Sequence, residues 1–84
     1  MAHLEEAKFD MTKLQEAHLK YAKLNGASFI GADLTGADVS EAQLEKANFN
    51  SANLERTGLH RSHLGRSDLR NALLRQGSKK GERT

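Results

Sequence analysis

No cysteine occurs among the 84 residues, so neither a disulfide framework nor a thiolate metal site is open to this chain. Long apolar runs are missing as well. The longest span two or three residues, far below the roughly 20 that cross a bilayer or the core of a secretory leader. The expectation is a cytoplasmic chain that does not enter a membrane. Aromatics are few, with three Phe and one Tyr. Hydrophobic residues make up 37% of the chain and charged residues 29%, a balance close to that of disordered sequences. A chain this short is one domain at most and buries only a modest core.

The order in which the hydrophobic residues occur overturns that first impression. Divided into fives from Ala2, the sequence reads AHLEE, AKFDM, TKLQE, AHLKY and so on to ALLRQ, fifteen repeats without an insertion. The third position is always apolar: Leu4, Phe9, Leu14, Leu19, Leu24, Phe29, Leu34, Val39, Leu44, Phe49, Leu54, Leu59, Leu64, Leu69 and Leu74. The first position is always small, Ala in eleven repeats and Thr or Ser in the others. The remaining positions are mostly polar or Gly.

A helix cannot use this pattern, because each step of five residues rotates about 140° past a full turn and scatters the apolar side chains around the cylinder. In an extended segment the small and large residues, two apart, share one face. Each repeat therefore reads as a very short strand facing inward, followed by a two-residue corner. Strands that always turn the same way coil into a tube whose stacked layers satisfy the backbone. The fold class is all-β, a β-solenoid.

Phe9, Phe29 and Phe49 are spaced by 20 residues, which places them in one column if a coil holds four repeats. The pairs Lys13–Asp33, Glu41–Arg61 and Glu55–Arg75 become neighbours between layers at the same spacing, and opposite charges there help modestly. Lys46–Arg66 is a like-charge pair that runs against the trend. Gly closes the repeat at residues 26, 31 and 36, where a turn residue of positive φ is expected.

These residues resemble the pentapeptide repeat family, whose pattern is A(D/N)LxG-like. The resemblance covers 2–76, and ADLTG at 32–36 matches at every position. It implies a right-handed quadrilateral β-helix with four repeats per coil, just under four coils for this chain. Asp or Asn takes the second position only at Asp33, Asp38, Asn48, Asn53 and Asp68, so the outer surface departs from the family more than the interior does. The segment 77–84 is polar and reads as a disordered basic tail.

Solenoid ends usually carry caps, and the repeats begin at Ala2. The expectation is either a fragment of a larger protein or an oligomer that covers its ends, an end-to-end homo-oligomer among the options. Leu73, at an outward position beside Leu74, is a candidate interface residue.

Chemistry has little to stand on. His60 and His63 flank a corner without further ligands of suitable type, and a structural zinc site wants four. Ser62, Ser67 and Thr57 occupy inward small positions, whereas a nucleophile needs an exposed oxygen and a base. No catalytic residue, cofactor or metal is expected. Charge is the one outer feature with a shape. Through residue 55 there are five Lys and Arg against nine Asp and Glu; from Arg56 onward there are eight against two. Arg56, Arg61 and Arg66 fall on successive corners, and Arg70 and Arg75 follow; the expectation is a solvated basic end or an electrostatic docking surface for an acidic partner or nucleic acid. The outer aromatic, Tyr21, is remote from that end, which argues against nucleic-acid stacking.

The reading is a non-catalytic structural or protein-interaction module with an unidentified protein partner. The alternative, implied by the resemblance alone, is a DNA-mimicking protein that binds type II topoisomerases. That role calls for an acidic surface and a longer rod, and this chain carries a net charge of +2.

Overall fold

The computed structural model describes residues 3–75. The tail expected at 77–84 lies outside them, as do Ala2 and Gln76 at the two ends of the repeat run.

Parallel β-bridges join each second-position residue to the one 20 positions later, from His3 with Lys23 to Asn53 with Leu73. One coil therefore takes 20 residues, with four walls and four corners. The first coil runs through residue 21, the second covers 22–41, the third 42–61, and the residues to 75 lie beyond it. Each wall contributes a single bridged residue to the ladder, because the corner consumes the rest of the repeat. The short strands expected from the sequence are reduced to that minimum.

Backbone groups are used systematically. The central N–H donates to the second-position carbonyl of the next coil, as in Leu24 to Gln43 at 2.7 Å. The fifth-position N–H donates to a fourth-position carbonyl, as in Gly26 to Glu45 at 2.8 Å. The second-position N–H reaches back to the preceding coil, as in Gln43 to Ala22 at 2.9 Å. At each corner the N–H of the next small residue closes on the central carbonyl, from Ala7 to Leu4 at 3.1 Å through to Ala72 to Leu69 at 3.1 Å.

All fourteen described fifth positions have φ between 53° and 74°. Positive φ at the third residue of a four-residue turn is the mark of type II. The positive φ expected at Gly26, Gly31 and Gly36 is present, and it extends to corners that no glycine marks: eleven of the fourteen residues are not glycine, Arg56, Arg61 and Arg66 among them. Left-handed backbone costs a side-chain-bearing residue about 1–2 kcal/mol. The corner bond holds each of them there, and from Glu6 to Arg56 a bond from the residue's own N–H to the next coil adds to it.

Phe29, Phe49, Leu24, Leu34, Leu44, Leu54 and Val39 fill the tube and are fully buried, with Ala from 22 to 52 beside them. The Phe rings stack: Phe9 and Phe29 lie 5.1 Å apart at 11°, Phe29 and Phe49 4.8 Å apart at 4°. These separations follow the spacing of about 4.8 Å between paired strands. Leu4, Phe9, Leu14, Leu19, Leu59, Leu64 and Leu69 are partly buried, packed against the central cluster from outer layers. Leu74, the last central position, is 46% exposed, with no described layer over it.

Candidate interaction surface

With the first and third positions turned inward, the surface is written by the second, fourth and fifth. The second-position Asp and Asn residues all perform one task. Asp33 Oδ1 accepts from the N–H of Thr35 at 3.0 Å, and Asp38 Oδ1 from that of Ser40 at 2.9 Å. Asn48, Asn53 and Asp68 do the same for Asn50, Glu55 and Arg70 at 2.9, 3.0 and 3.0 Å. Each closes an Asx turn that satisfies the fourth-position N–H, which the coil ladder leaves free. Two corners without such a residue take the acceptor from the coil before: Asp10 Oδ1 serves the N–H of Ile30 at 3.0 Å, and Asn25 Oδ1 serves that of Glu45 at 2.9 Å.

This duty sets the electrostatics of the acids. The Thr35 hydroxyl and N–H lower the Asp33 carboxyl below its ordinary range, with the Gln15 amide and the Lys13 charge adding to the effect. Ser40 does the same for Asp38, helped by Lys20 and His18. Asp68 is lowered to about 2, first by the Arg70 side chain and then by the Arg70 N–H.

The inward hydroxyls are also engaged. Thr57 Oγ1 donates to the Leu34 carbonyl at 2.7 Å, Ser62 Oγ to that of Leu59 at 2.8 Å, and Ser67 Oγ to that of Leu64 at 2.7 Å. No buried side-chain nitrogen or oxygen among the described residues lacks a partner. His60 and His63 are exposed, and among the described residues no group of three or more metal-ligating side chains comes together.

The arginines picked out by the sequence divide into two sets. Arg70 forks onto Asp68, 2.8 Å from Nη2 to Oδ2, and Arg75 pairs with Glu55 between layers at 3.4 Å. Arg56, Arg61 and Arg66 stand exposed on successive corners, and among the described residues none has a carboxylate within 4.0 Å. Lys46 joins this second set, directly beneath Arg66 in one corner column. The two line a surface cleft of about 380 Å³ with Glu45 and Gly65. Lys46 was visible in the sequence only as half of a like-charge pair, and its membership of the belt follows from the coil register. Leu73 is 43% exposed, while its backbone carbonyl accepts from Leu54 at 2.8 Å.

The repeat register, the corner geometry and the stacked interior define a solenoid of five-residue units. A family model described as pentapeptide repeats matches residues 2–36, 12–50 and 40–76. The chain belongs to the pentapeptide repeat family, and its coil is the right-handed quadrilateral β-helix of that family. Among solved structures it is similar to a pentapeptide repeat protein of the Arabidopsis thaliana thylakoid lumen, at 38% identity and TM-score 0.56, over 83% of this chain and 56% of that one. It is also similar to the protein Rfr23 of the cyanobacterium Cyanothece, at 34% identity and TM-score 0.42, over 86% of this chain and 46% of that one. The chain thus spans about half the length of these solved relatives. No significant match was found among curated proteins.

Proposed function

We propose that this chain is a non-catalytic protein-interaction module, built of just under four coils, that docks an acidic protein partner on its belt of free corner cations. The observation that carries this reading is the contrast between Arg70 and Arg75, each neutralised by a carboxylate, and Lys46, Arg56, Arg61 and Arg66, which are not. Unpaired cations held on rigid corners supply steering and orientation to an approaching anion. The wall charges favour this reading over mimicry of DNA, since every wall mixes signs. One carries Lys13, Asp33, Glu55 and Arg75, another His18, Lys20, Asp38 and Glu41.

The test uses a poly-glutamate peptide and double-stranded DNA as probes, measured by fluorescence anisotropy at low and high salt. Binding of the peptide, weakened by salt and lost in the triple variant Arg56→Glu, Arg61→Glu, Arg66→Glu, is the expected result. A variant that binds as tightly as the parent overturns the assignment, and a stronger response to DNA transfers the belt to nucleic acid.

A further inference from the structure

The corner at residues 25 and 26 joins an asparagine directly to a glycine, and this dipeptide has a chemistry of its own. An asparagine side chain can be attacked by the backbone nitrogen of the following residue, and glycine, having no side chain, hinders that attack least. The other described asparagines precede residues with side chains: Phe49, Ser51, Leu54 and Ala72. Asn25 and Gly26 are only half-buried and both line a surface depression of about 300 Å³, so water has access to the pair.

Both reacting groups are held by a single residue of the next coil. The Gly26 N–H, which must lose its proton, donates to the Glu45 carbonyl at 2.8 Å. The Asn25 carboxamide, which must present its carbon, accepts from the Glu45 N–H at 2.9 Å through Oδ1. Gly26 itself sits at φ +74 in the corner, fixed by the bond from Ala27 to Leu24 at 3.0 Å. Loss of the Gly26 proton therefore requires its bond to the Glu45 carbonyl to break, which takes an opening of this corner. We propose that Asn25–Gly26 is a latent deamidation site, silent in the closed coil and reactive only when this corner of the second coil parts from the third.

The step balances without an oxidant or reductant. Solvent base removes the Gly26 amide proton, the nitrogen bonds to Asn25 Cγ, the Cγ–Nδ2 bond breaks, and ammonia leaves with a proton from water. Water then opens the five-membered imide at one of its two carbonyls, giving aspartate or isoaspartate. The imide nitrogen has no hydrogen, so the bond to the Glu45 carbonyl is lost at that stage. Isoaspartate adds a carbon to the main chain inside a corner that has room for a fixed count of atoms, and reclosure fails. Aspartate restores the backbone but sets a new charge in a depression that Glu5, Glu6 and Glu45 share with the single cation Lys46. An opening that is brief and reversible is thereby converted into a permanent mark.

The experiment follows the intact protein by peptide mass spectrometry at mildly alkaline pH, with and without denaturant, using isoaspartate-specific carboxyl methylation to separate the products. Conversion at Asn25 should be about tenfold or more slower in the folded chain than in denaturant, as expected of a reaction limited by local opening. Leu24→Val, a mild change beneath the corner, should speed conversion in step with its loss of amide protection at Gly26. Asn25→Gln should leave the peptide unmodified over the same period. Equal rates with and without denaturant overturn the latency. Failure to convert in denaturant overturns the site itself. A rate in Leu24→Val that ignores faster hydrogen exchange at Gly26 overturns the link to opening.

Discussion

The side chain of Met11 lies over Gly31, its sulfur in the space that a Cβ on residue 31 would need. Both residues occupy the same corner column one coil apart, and both have positive φ. An alanine at 31 would meet two penalties together, left-handed strain and displacement of Met11. Gly31→Ala should lower unfolding free energy by about 1–2 kcal/mol in denaturant melts. The reverse exchange at a corner with a side chain, Arg61→Gly, should raise it by about 0.5–1 kcal/mol, since strain relief exceeds the added chain entropy. A stability order opposite to this would refute the strain account.

Phe29 has a ring above and a ring below it, and its removal leaves a hole that the coil cannot collapse into without breaking its ladder. Phe29→Ala should cost about 3–5 kcal/mol. Leu4→Ala should cost less, because Leu4 is only partly buried. Leu34→Asp is expected to unfold the chain, as it places an unpaired charge among fully buried neighbours. Circular dichroism melts of the three variants rank them, and a cooperative Leu34→Asp transition near the parent midpoint contradicts the sealed interior.

Asn53 serves the Glu55 N–H through one oxygen. Asn53→Ala should remove about 0.5–1.5 kcal/mol, the worth of one intramolecular hydrogen bond. Asn53→Asp, which retains the acceptor, should stay near the parent. Chemical denaturation separates the two, and equal losses would mean that the side chain acts by something other than the Asx turn.

Asp68 has a folded pKa of about 2, below the ordinary value of 3.8. A depressed carboxyl contributes stability that is present above the unfolded pKa and lost as pH falls through the folded one. The contribution of this group should therefore fade between about pH 4 and pH 2. Asp33 and Asp38 are lowered in the same direction, so their contributions should also decline as pH falls below the ordinary carboxylate range. Thermal melts across that window should show declining stability, and Asp68→Asn should flatten part of the slope. An unchanged slope in the variant would remove Asp68 from the account.

The repeat made the interior legible before any coordinates. Alternation of small and large residues assigned the inward face, and the spacing of Phe9, Phe29 and Phe49 placed their rings in a column. The Glu55–Arg75 pair followed from the same spacing. Corner conformation was not legible at Arg56, Lys46 or Glu41, because local preference for left-handed backbone is carried by glycine, while here hydrogen bonds to the neighbouring coil impose it. The role of Asp33 and Asn53 was equally hidden: their pattern was visible, but the N–H they satisfy is defined only once the corner is built. Exposure of Leu74 depends on what lies above it, which no periodicity encodes.

The pairing of each residue with the one 20 positions later also governs how such a chain can change length. A gain or loss of five residues between Phe29 and Phe49 keeps every side chain facing correctly inward or outward, yet it shifts all later residues one wall around the axis. Phe49 would leave the aromatic column and the corner cations would point a quarter-turn away, although pairs that lie wholly beyond the change, such as Glu55 with Arg75, would move together. A gain or loss of a whole circuit disturbs none of this. Lengthening by unequal exchange is therefore quantised at two levels, five residues for folding and 20 for surface pattern, and natural variants that keep the cation belt are expected to differ in whole circuits.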